Sequence, residues 1–458
     1  MRRYWATMVL AVAVVALGAY VYLVELASEQ SKTQVETREK KIIPFAETEI
    51  TELTLRSAAG DIALATGDNR KWRITAPISA EADSREVESV LRALVLGKVT
   101  RVVEDRGTAL APFGLEQPPV ILTVKAGSKE ETVSLGDTGP ISSTLYALRQ
   151  SEQKVLLTDL AAKDFLGKTL LSFRKKEILT FDQAQVERLR LTYPPTEIVL
   201  YRDERAKPPR WTIRFPIDTT ADQTEVRSLL FRLEDLKALG FVDAGLEHTK
   251  LLGKLGQPSA KITLYVAGKE QTVKLFQPDR TSGEAFAVTT PDAPIYRITP
   301  AALKDLTRDL FALRDKRLLG VDRDDLAMLS VQTRDGQYVL INQNNEWVLE
   351  DDPTAKLDQQ TVDLFVSRVI NLPAEIQVVK ETGPLAAYGL SSPAAEFTAT
   401  TRDGKQKGRL VLGTKTGGLA YAIGQGLPGI HQVRADILTQ IPSKQSLRAD
   451  DKPAAEKS

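Results

Sequence analysis

The chain has 458 residues, 42% hydrophobic and 26% charged, which are ordinary globular values and enough for roughly three domains of about 150 residues. Lysine plus arginine (61) nearly cancels aspartate plus glutamate (60), leaving a net charge of +1 and excluding the basic excess of an electrostatic nucleic-acid binder. Cysteine is absent, which removes disulfides, thiolate chemistry and zinc–cysteine sites, and two histidines are too few for a histidine-built metal centre.

The first element in chain order is an uncharged run, YWATMVLAVAVVALGAYVYLV, from Tyr4 to Val24. At 1.5 Å per residue, about 20 helical residues cross a hydrocarbon layer of roughly 30 Å. Arg2 and Arg3 precede the run and Glu25 follows it, so the positive end is expected to stay in the cytoplasm. A cleaved signal peptide has a shorter apolar region, about 7–15 residues, that ends in small residues. Here the end is bulky, Tyr20-Val21-Tyr22-Leu23-Val24. Residues 1–25 are therefore expected to be an uncleaved transmembrane anchor in the inner membrane, with the body periplasmic or otherwise extracytoplasmic. Residues 26–41, rich in Glu, Lys and Arg and free of Gly and Pro, read as a polar tether.

The body repeats itself. Trp72, Trp211 and Trp347 stand in KWRI, RWTI and EWVL, 139 and 136 residues apart. Asp83, Asp222 and Asp358 keep the same two separations. Pro118, Pro258 and Pro393 follow in GLEQPP, KLGQPS and YGLSSP, and then Leu135, Leu275 and Leu412 in VSLGD, VKLFQ and LVLGT. Aromatics Tyr146, Phe286 and Tyr421 come next. Copies one and two also share an end, FRKKEILTFD and LRDKRLLGVD, 140 residues apart, whereas the third copy stops near Leu447-Arg448-Ala449-Asp450. Such fixed-period similarity marks a repeated unit. The expected modules are 42–182, 183–322 and 323–450, with a disordered tail at 451–458.

Within each copy the hydrophobic period is first two and then 3.6. Leu53/Leu55, Ile62/Leu64 and Trp72/Ile74 alternate in three short runs separated by Gly-Asp turns, which predicts an antiparallel meander. Leu189/Leu191, Ile198/Leu200 and Trp211/Ile213 repeat the pattern, as do Leu329/Val331, Val339/Ile341 and Trp347/Leu349. Val87, Val90, Leu91 and Leu94 then fall on one helical face, matched by Val226, Leu229, Leu230 and Leu233. Asp83 with Glu86, and Asp222 with Glu225, have capping-box spacing, whereas Asp358 is followed by Thr361. Further strands (VILTV, ETVSL, TLYAL, KVLLT) and a short helix (DLAAKDFL) complete the first copy. The predicted fold class is α+β, each module a mainly antiparallel sheet with a packed amphipathic helix.

No residue pattern here points to catalysis, a cofactor or a metal. Asp83, Asp222 and Asp358 sit where helix N-caps belong, and the three tryptophans alternate like core residues. His248, in LEHTK, and His431, beside Gln432, lack the spacing of a triad or zincin, and both are expected at the surface. Gly413-Thr414-Lys415-Thr416-Gly417-Gly418 lacks the phosphate-loop pattern and reads as a hairpin turn. FRKKEIL and LRDKRLL read as solvated connectors.

The anchor, the WxI strand with its aspartate-capped helix, the GLxxP segment and the LRDKRLL-like end together resemble the bacterial family known as domain of unknown function 4340 (DUF4340), over nearly the whole chain. The resemblance implies an envelope protein, with some relatives associated with ABC-type transport systems of the gliding-motility auxiliary kind, and it brings no catalytic residues. The leading expectation is a non-catalytic accessory or scaffolding subunit of a membrane transport or surface-assembly complex. Its partners are then the membrane and a membrane-protein complex. The alternatives are an envelope polysaccharide or peptidoglycan binding module and, third, a carboxylate-based hydrolase.

Overall fold

The computed structural model describes residues 13–14, 20, 40–67, 69–104, 109–141, 143–277, 283–379, 384–404 and 407–449. Apart from residues 13, 14 and 20, the predicted anchor lies outside these residues, as do most of the tether and the 451–458 tail. Among the described residues no helix is long and apolar enough to cross a membrane.

The body is three antiparallel sheets with packed helices, one sheet per copy. In the first copy the strands are β1 (Glu52–Ser57), β2 (Gly60–Thr66), β3 (Trp72–Ala76), β4 (Ala80–Glu81), β5 (Val99–Glu104), β6 (Val120–Ala126), β7 (Lys129–Thr138), β8 (Leu145–Arg149) and β9 (Lys154–Thr158). Their order in the sheet is β4-β3-β2-β1-β6-β7-β8-β9-β5. The chain thus lays down one meander, sends a helix (Ser84–Leu96) across it to β5 at the far edge, and returns to pair β6 with β1. The second meander then runs outward until β9 meets β5.

The second copy repeats this order with β10 (Val186–Tyr193), β11 (Thr196–Asp203), β12 (Arg210–Phe215), β13 (Thr219–Thr220), β14 (Gly240–Val242), β15 (Ala260–Val266), β16 (Lys269–Phe276), β17 (Ala285–Val288) and β18 (Ile295–Ile298). The third uses β19 (Leu326–Thr333), β20 (Gly336–Gln343), β21 (Glu346–Leu349), β22 (Ile376–Val379), β23 (Ala395–Thr401), β24 (Lys407–Thr416), β25 (Leu419–Gly424) and β26 (Leu427–Arg434). Among the described residues it has no counterpart of the two-residue edge strand β4 or β13. The chain divides into two compact units, residues 1–176 and 177–458, the latter holding the second and third sheets.

The helices form where the period changed. Ser84–Leu96, Gln223–Glu234 and Gln359–Ile370 each bury the expected apolar stripe against the sheet. In the first, Val87, Val90, Leu91 and Leu94 are all buried. At about 1.5–3 kcal/mol per buried aliphatic side chain, that stripe contributes on the order of 6–12 kcal/mol as an upper bound. Asp83 accepts from the backbone N–H groups of Arg85 and Glu86, Asp222 from Thr224 and Glu225, and Asp358 from Thr361. The expected reciprocal capping box is replaced by an ion pair. Glu86 pairs with Lys168, and Glu225 pairs with Arg308 at 3.4 Å.

A second polar device escaped the sequence reading. The Gln223 side-chain amide accepts from Trp211 N–H at 2.7 Å and donates to Trp211 C=O at 2.9 Å. Gln359 does the same to Trp347 at 2.8 and 2.9 Å. In the third copy the amide completes the edge of the sheet at β21, and in the second it extends the pairing of β12 with β13, in a W-x11-Q spacing; copy one has Ser84 there. Gln359→Ala is expected to cost about 1–3 kcal/mol, two neutral hydrogen bonds at about 0.5–1.5 each, measured by urea unfolding. Ser84→Ala is expected to cost well under that.

The FRKKEIL and LRDKRLL segments are not solvated connectors. Arg174 is buried, Phe173 belongs to the first core, and Ile178, Leu179 and Phe181 belong to the second. Leu313 likewise closes the second core, while Leu318, Leu319 and Val321 open the third. Basic side chains in the second segment are held by acids, Lys316 by Asp222 at 3.1 Å and Arg317 by Asp315 and Asp322. The apolar half of each motif is what directs it inward. The same logic places Ile42, Ile43 and Phe45 in the first core. DLAAKDFL forms only a 3-10 turn at Ala162–Asp164, followed by a four-residue helix, Leu170–Phe173.

Candidate functional site

Most residues that looked chemically suggestive are committed to the fold. The three aspartates cap helices, and Trp72, Trp211 and Trp347 are buried, Trp347 also donating its indole N–H to Asp363 at 3.0 Å. Gly417-Gly418 is the two-residue turn joining β24 and β25. Among the described residues no group of three or more His, Asp or Glu side chains is placed to hold a metal ion.

The histidines correct the sequence reading, because neither is at the surface. His431 is 0% exposed on β26 and stacks on Phe311, ring centroids 6.2 Å apart. Its Nε2 lies 3.0 Å from Pro428 C=O, while its buried Nδ1 has no hydrogen-bond partner. Burial holds its pKa below the ordinary value, and Arg314 pushes in the same direction. A histidine whose folded pKa lies below its unfolded value, about 6.5, stabilises the fold fully above that value. The contribution is lost as pH falls from there through the folded pKa. The unfolding free energy of the second unit is therefore expected to decline on acidification below pH 6.5, and His431→Phe to flatten that part of the curve. An unchanged slope in the variant would contradict the assignment.

His248 is 8% exposed on a helix, Leu246–Leu255, that among the described residues has no counterpart in the other copies. Its Nε2 lies 3.1 Å from Ala293 C=O, which ties the helix to the segment linking β17 and β18. That segment, 289–294, is longer than its counterparts 150–153 and 425–426. Beside it lies a groove of about 450 Å³ lined by Ile178, Leu179, Thr180, Glu270, Gln271, Thr272, Thr289 and Thr290.

The three copies differ at this place for reasons legible in the residues. Each has an entry segment (41–43, 177–179 or 317–319) lying along the end of the second meander. In the first copy, Arg149 fills the space, buried, its Nε donating to Ile42 C=O at 3.3 Å and its Nη2 to Lys41 C=O. In the third copy, glycines close it. Gly426 N–H donates to Leu318 C=O at 2.9 Å, and a Cβ on Gly408 or Gly424 would collide with the carbonyls of Leu319 or Leu318. In the second copy Gln271 reaches Thr180 C=O at 3.3 Å, and the strand pair parts early. Gln150 N–H donates to Thr132 C=O in copy one, and Gln425 N–H to Arg409 C=O in copy three. Among the described residues no such bond joins Thr290 to Thr272. The early parting and the longer segment together leave the groove open.

A second recess of about 380 Å³ lies at the end of the Gln359–Ile370 helix, lined by residues that include Arg368, Glu375, Arg434 and Asp436. Arg434 pairs with Asp436 at 3.2 Å. The open face of the second sheet carries one further cluster. Arg188 stacks on Tyr265, 3.4 Å from guanidinium carbon to ring centre, and its Nη1 lies 3.2 Å from the Tyr201 hydroxyl.

Set against known proteins, the chain matches the family model described as Domain of unknown function (DUF4340) over residues 72–252, 211–347 and 347–451. The segments begin at Trp72, Trp211 and Trp347, the first landmarks of the repeat. Among curated proteins none matches.

Proposed function

Because the chain belongs to the DUF4340 family, whose description names no activity, we propose from its own residues that it is a non-catalytic, membrane-anchored envelope protein. It serves as an accessory or scaffolding subunit of a membrane transport or surface-assembly complex, and the ABC-type, gliding-motility-auxiliary kind is what the family resemblance, rather than any residue pattern, implies. The observation that carries this reading is that the three repeated aspartates and the three repeated tryptophans are spent on capping and packing. What the repeats offer is sheet surface rather than reacting groups. The uncharged run 4–24 behind Arg2 and Arg3 supports an inner-membrane anchor with the body outside, and tethering raises the effective concentration of that surface toward membrane partners.

Two measurements test it. A phosphatase fused to the C-terminus is expected to be active and a cytosol-dependent fluorescent reporter dark; the reverse result removes the proposed topology. Mild crosslinking in native membranes is expected to recover a membrane-protein partner, and repeated recovery of the chain alone removes the scaffolding role. The polymer-binding alternative loses the tryptophans as a platform, since all three are buried.

A further inference from the structure

We propose that the groove of the second module is a binding site for a neutral sugar unit of a glycan chain. This goes beyond the scaffolding role and does not depend on how the chain is anchored.

The repeat supplies an internal control. The same place is filled by a guanidinium in one copy and shut by glycines in another, so the fold does not require a cavity there. The second copy alone combines a six-residue linking segment, an early end to the strand pair, and a histidine hydrogen-bonded to that segment at Ala293 C=O. At about 450 Å³ the space falls within the 300–1,000 Å³ range of small-molecule sites.

The lining selects the ligand class. Its polar side chains are threonine hydroxyls, that of Thr272 bonded to Thr263 and Glu270, together with the Gln271 amide and the Glu270 carboxylate, with no lysine or arginine. An anion would therefore meet a carboxylate in the lining, while the Arg188 guanidinium that acts on Glu270 is itself stacked on Tyr265. An acyl chain or apolar peptide side chain would meet only Ile178 and Leu179, which are already buried in the second core. A ligand whose own hydroxyls both donate and accept matches groups that do the same. Thr290 N–H and Thr272 C=O, unpaired with each other where the strands part, add one more donor and acceptor. On the open face, the stacked Arg188–Tyr265 pair of β10 and β15 lies one strand from Glu270, which is in register with Tyr265.

The test uses the full chain in phosphocholine-detergent micelles, titrated by calorimetry with cellotetraose, chitotetraose and maltotetraose. Inorganic phosphate and acetyl-tetra-alanine amide are the comparison probes. At least one tetrasaccharide is expected to bind with Kd below about 1 mM. Continuing the strand register sets Thr289 where Arg149 lies in the first copy. Thr289→Arg is therefore expected to plug the groove and weaken binding at least tenfold. Gln271→Ala, which creates no bulk, is expected to weaken it several-fold. Both variants should keep the parent unfolding transition. The proposal is overturned if none of the three sugars binds, if binding survives Thr289→Arg, or if phosphate or the peptide binds in place of the sugars. Loss of the parent transition in Thr289→Arg shifts the decision to Gln271→Ala, whose unchanged affinity would equally overturn it.

Discussion

Gly413→Ala is expected to destabilise the second unit by at least about 3 kcal/mol, among the largest effects of any single methyl addition in the chain. Gly413 lies on β24 where the L-x-x-P segment crosses the outer face of the sheet. A Cβ there would collide with Tyr388 C=O and meet Leu390 at 3.1 Å. Neither neighbour can retreat. Leu390 is packed with Val411 and Ile430, and the Tyr388 ring sits edge-on to Tyr421 with centroids 4.9 Å apart. Gly136 on β7 occupies the same position under Phe113 and Leu115, with the Phe113–Tyr146 ring pair also at 4.9 Å, so Gly136→Ala should behave alike in the first unit. The second copy has Phe276 there. Only the leucine of its L-x-x-P segment, Leu255, lies in the Leu246–Leu255 helix, and Phe276 packs with Leu255, Phe286, Val288 and Ile295. Phe276→Gly should therefore cost about 3–5 kcal/mol by leaving a cavity. Calorimetric unfolding of the full chain, read per transition, checks all three. A glycine variant within about 0.5 kcal/mol of the parent would show that the crossing segment is loosely held.

Trp347→Ala is expected to cost the second unit about 3–5 kcal/mol, and Trp347→Phe only about 1–2. The indole fills the third core beside Tyr338 and Val362 and donates to Asp363, which also accepts from Arg323 at 2.8 Å. Phenylalanine keeps most of the packing and loses the hydrogen bond, whereas alanine loses both. Urea unfolding followed by the remaining tryptophans separates the two cases. Equal costs for the two variants would place the value of this residue in its hydrogen bond and not in its bulk.

Much of the fold was legible because its signals are local. The period-2 runs around Leu53, Ile62 and Trp72, the helical stripe at Val87–Leu94 and the capping aspartates are each decided within a dozen residues. Sheet order was not, since nothing near β1 names β6 as its partner, with paired residues from 63 (Ser57, Val120) to 73 (Glu52, Lys125) positions apart, nor β9 as the neighbour of β5. The role of L-x-x-P was hidden for the same reason. Leu115, Leu255 and Leu390 bury on the face opposite the helix, against strands that alternate inward for one core and outward for another. His431, beside Gln432 and without catalytic or ligand spacing, is expected at the surface, yet it sits at the inward phase of β26 between Leu427 and Val433. The groove had one visible signal, the longer TTPDAP link of the second copy. Its meaning needed the filled positions at Arg149 and Gly424 for comparison.

Each module's incoming and outgoing chain attach at opposite ends of the same helix. In the third, Leu318 N–H binds Leu372 C=O just past the helix, and Asp358 N–H binds Leu447 C=O just before it. The second repeats this with Ile178 to Leu236 and Asp222 to Leu313. The span between attachment points is about 20 Å, one twelve-residue helix with its caps. Tension applied along the polypeptide therefore runs down the helix and bypasses the strands. Stretched by its ends, a module should surrender those two ties and uncoil its helix first, while the sheet stays assembled as the part that can re-form the rest when the pull is released.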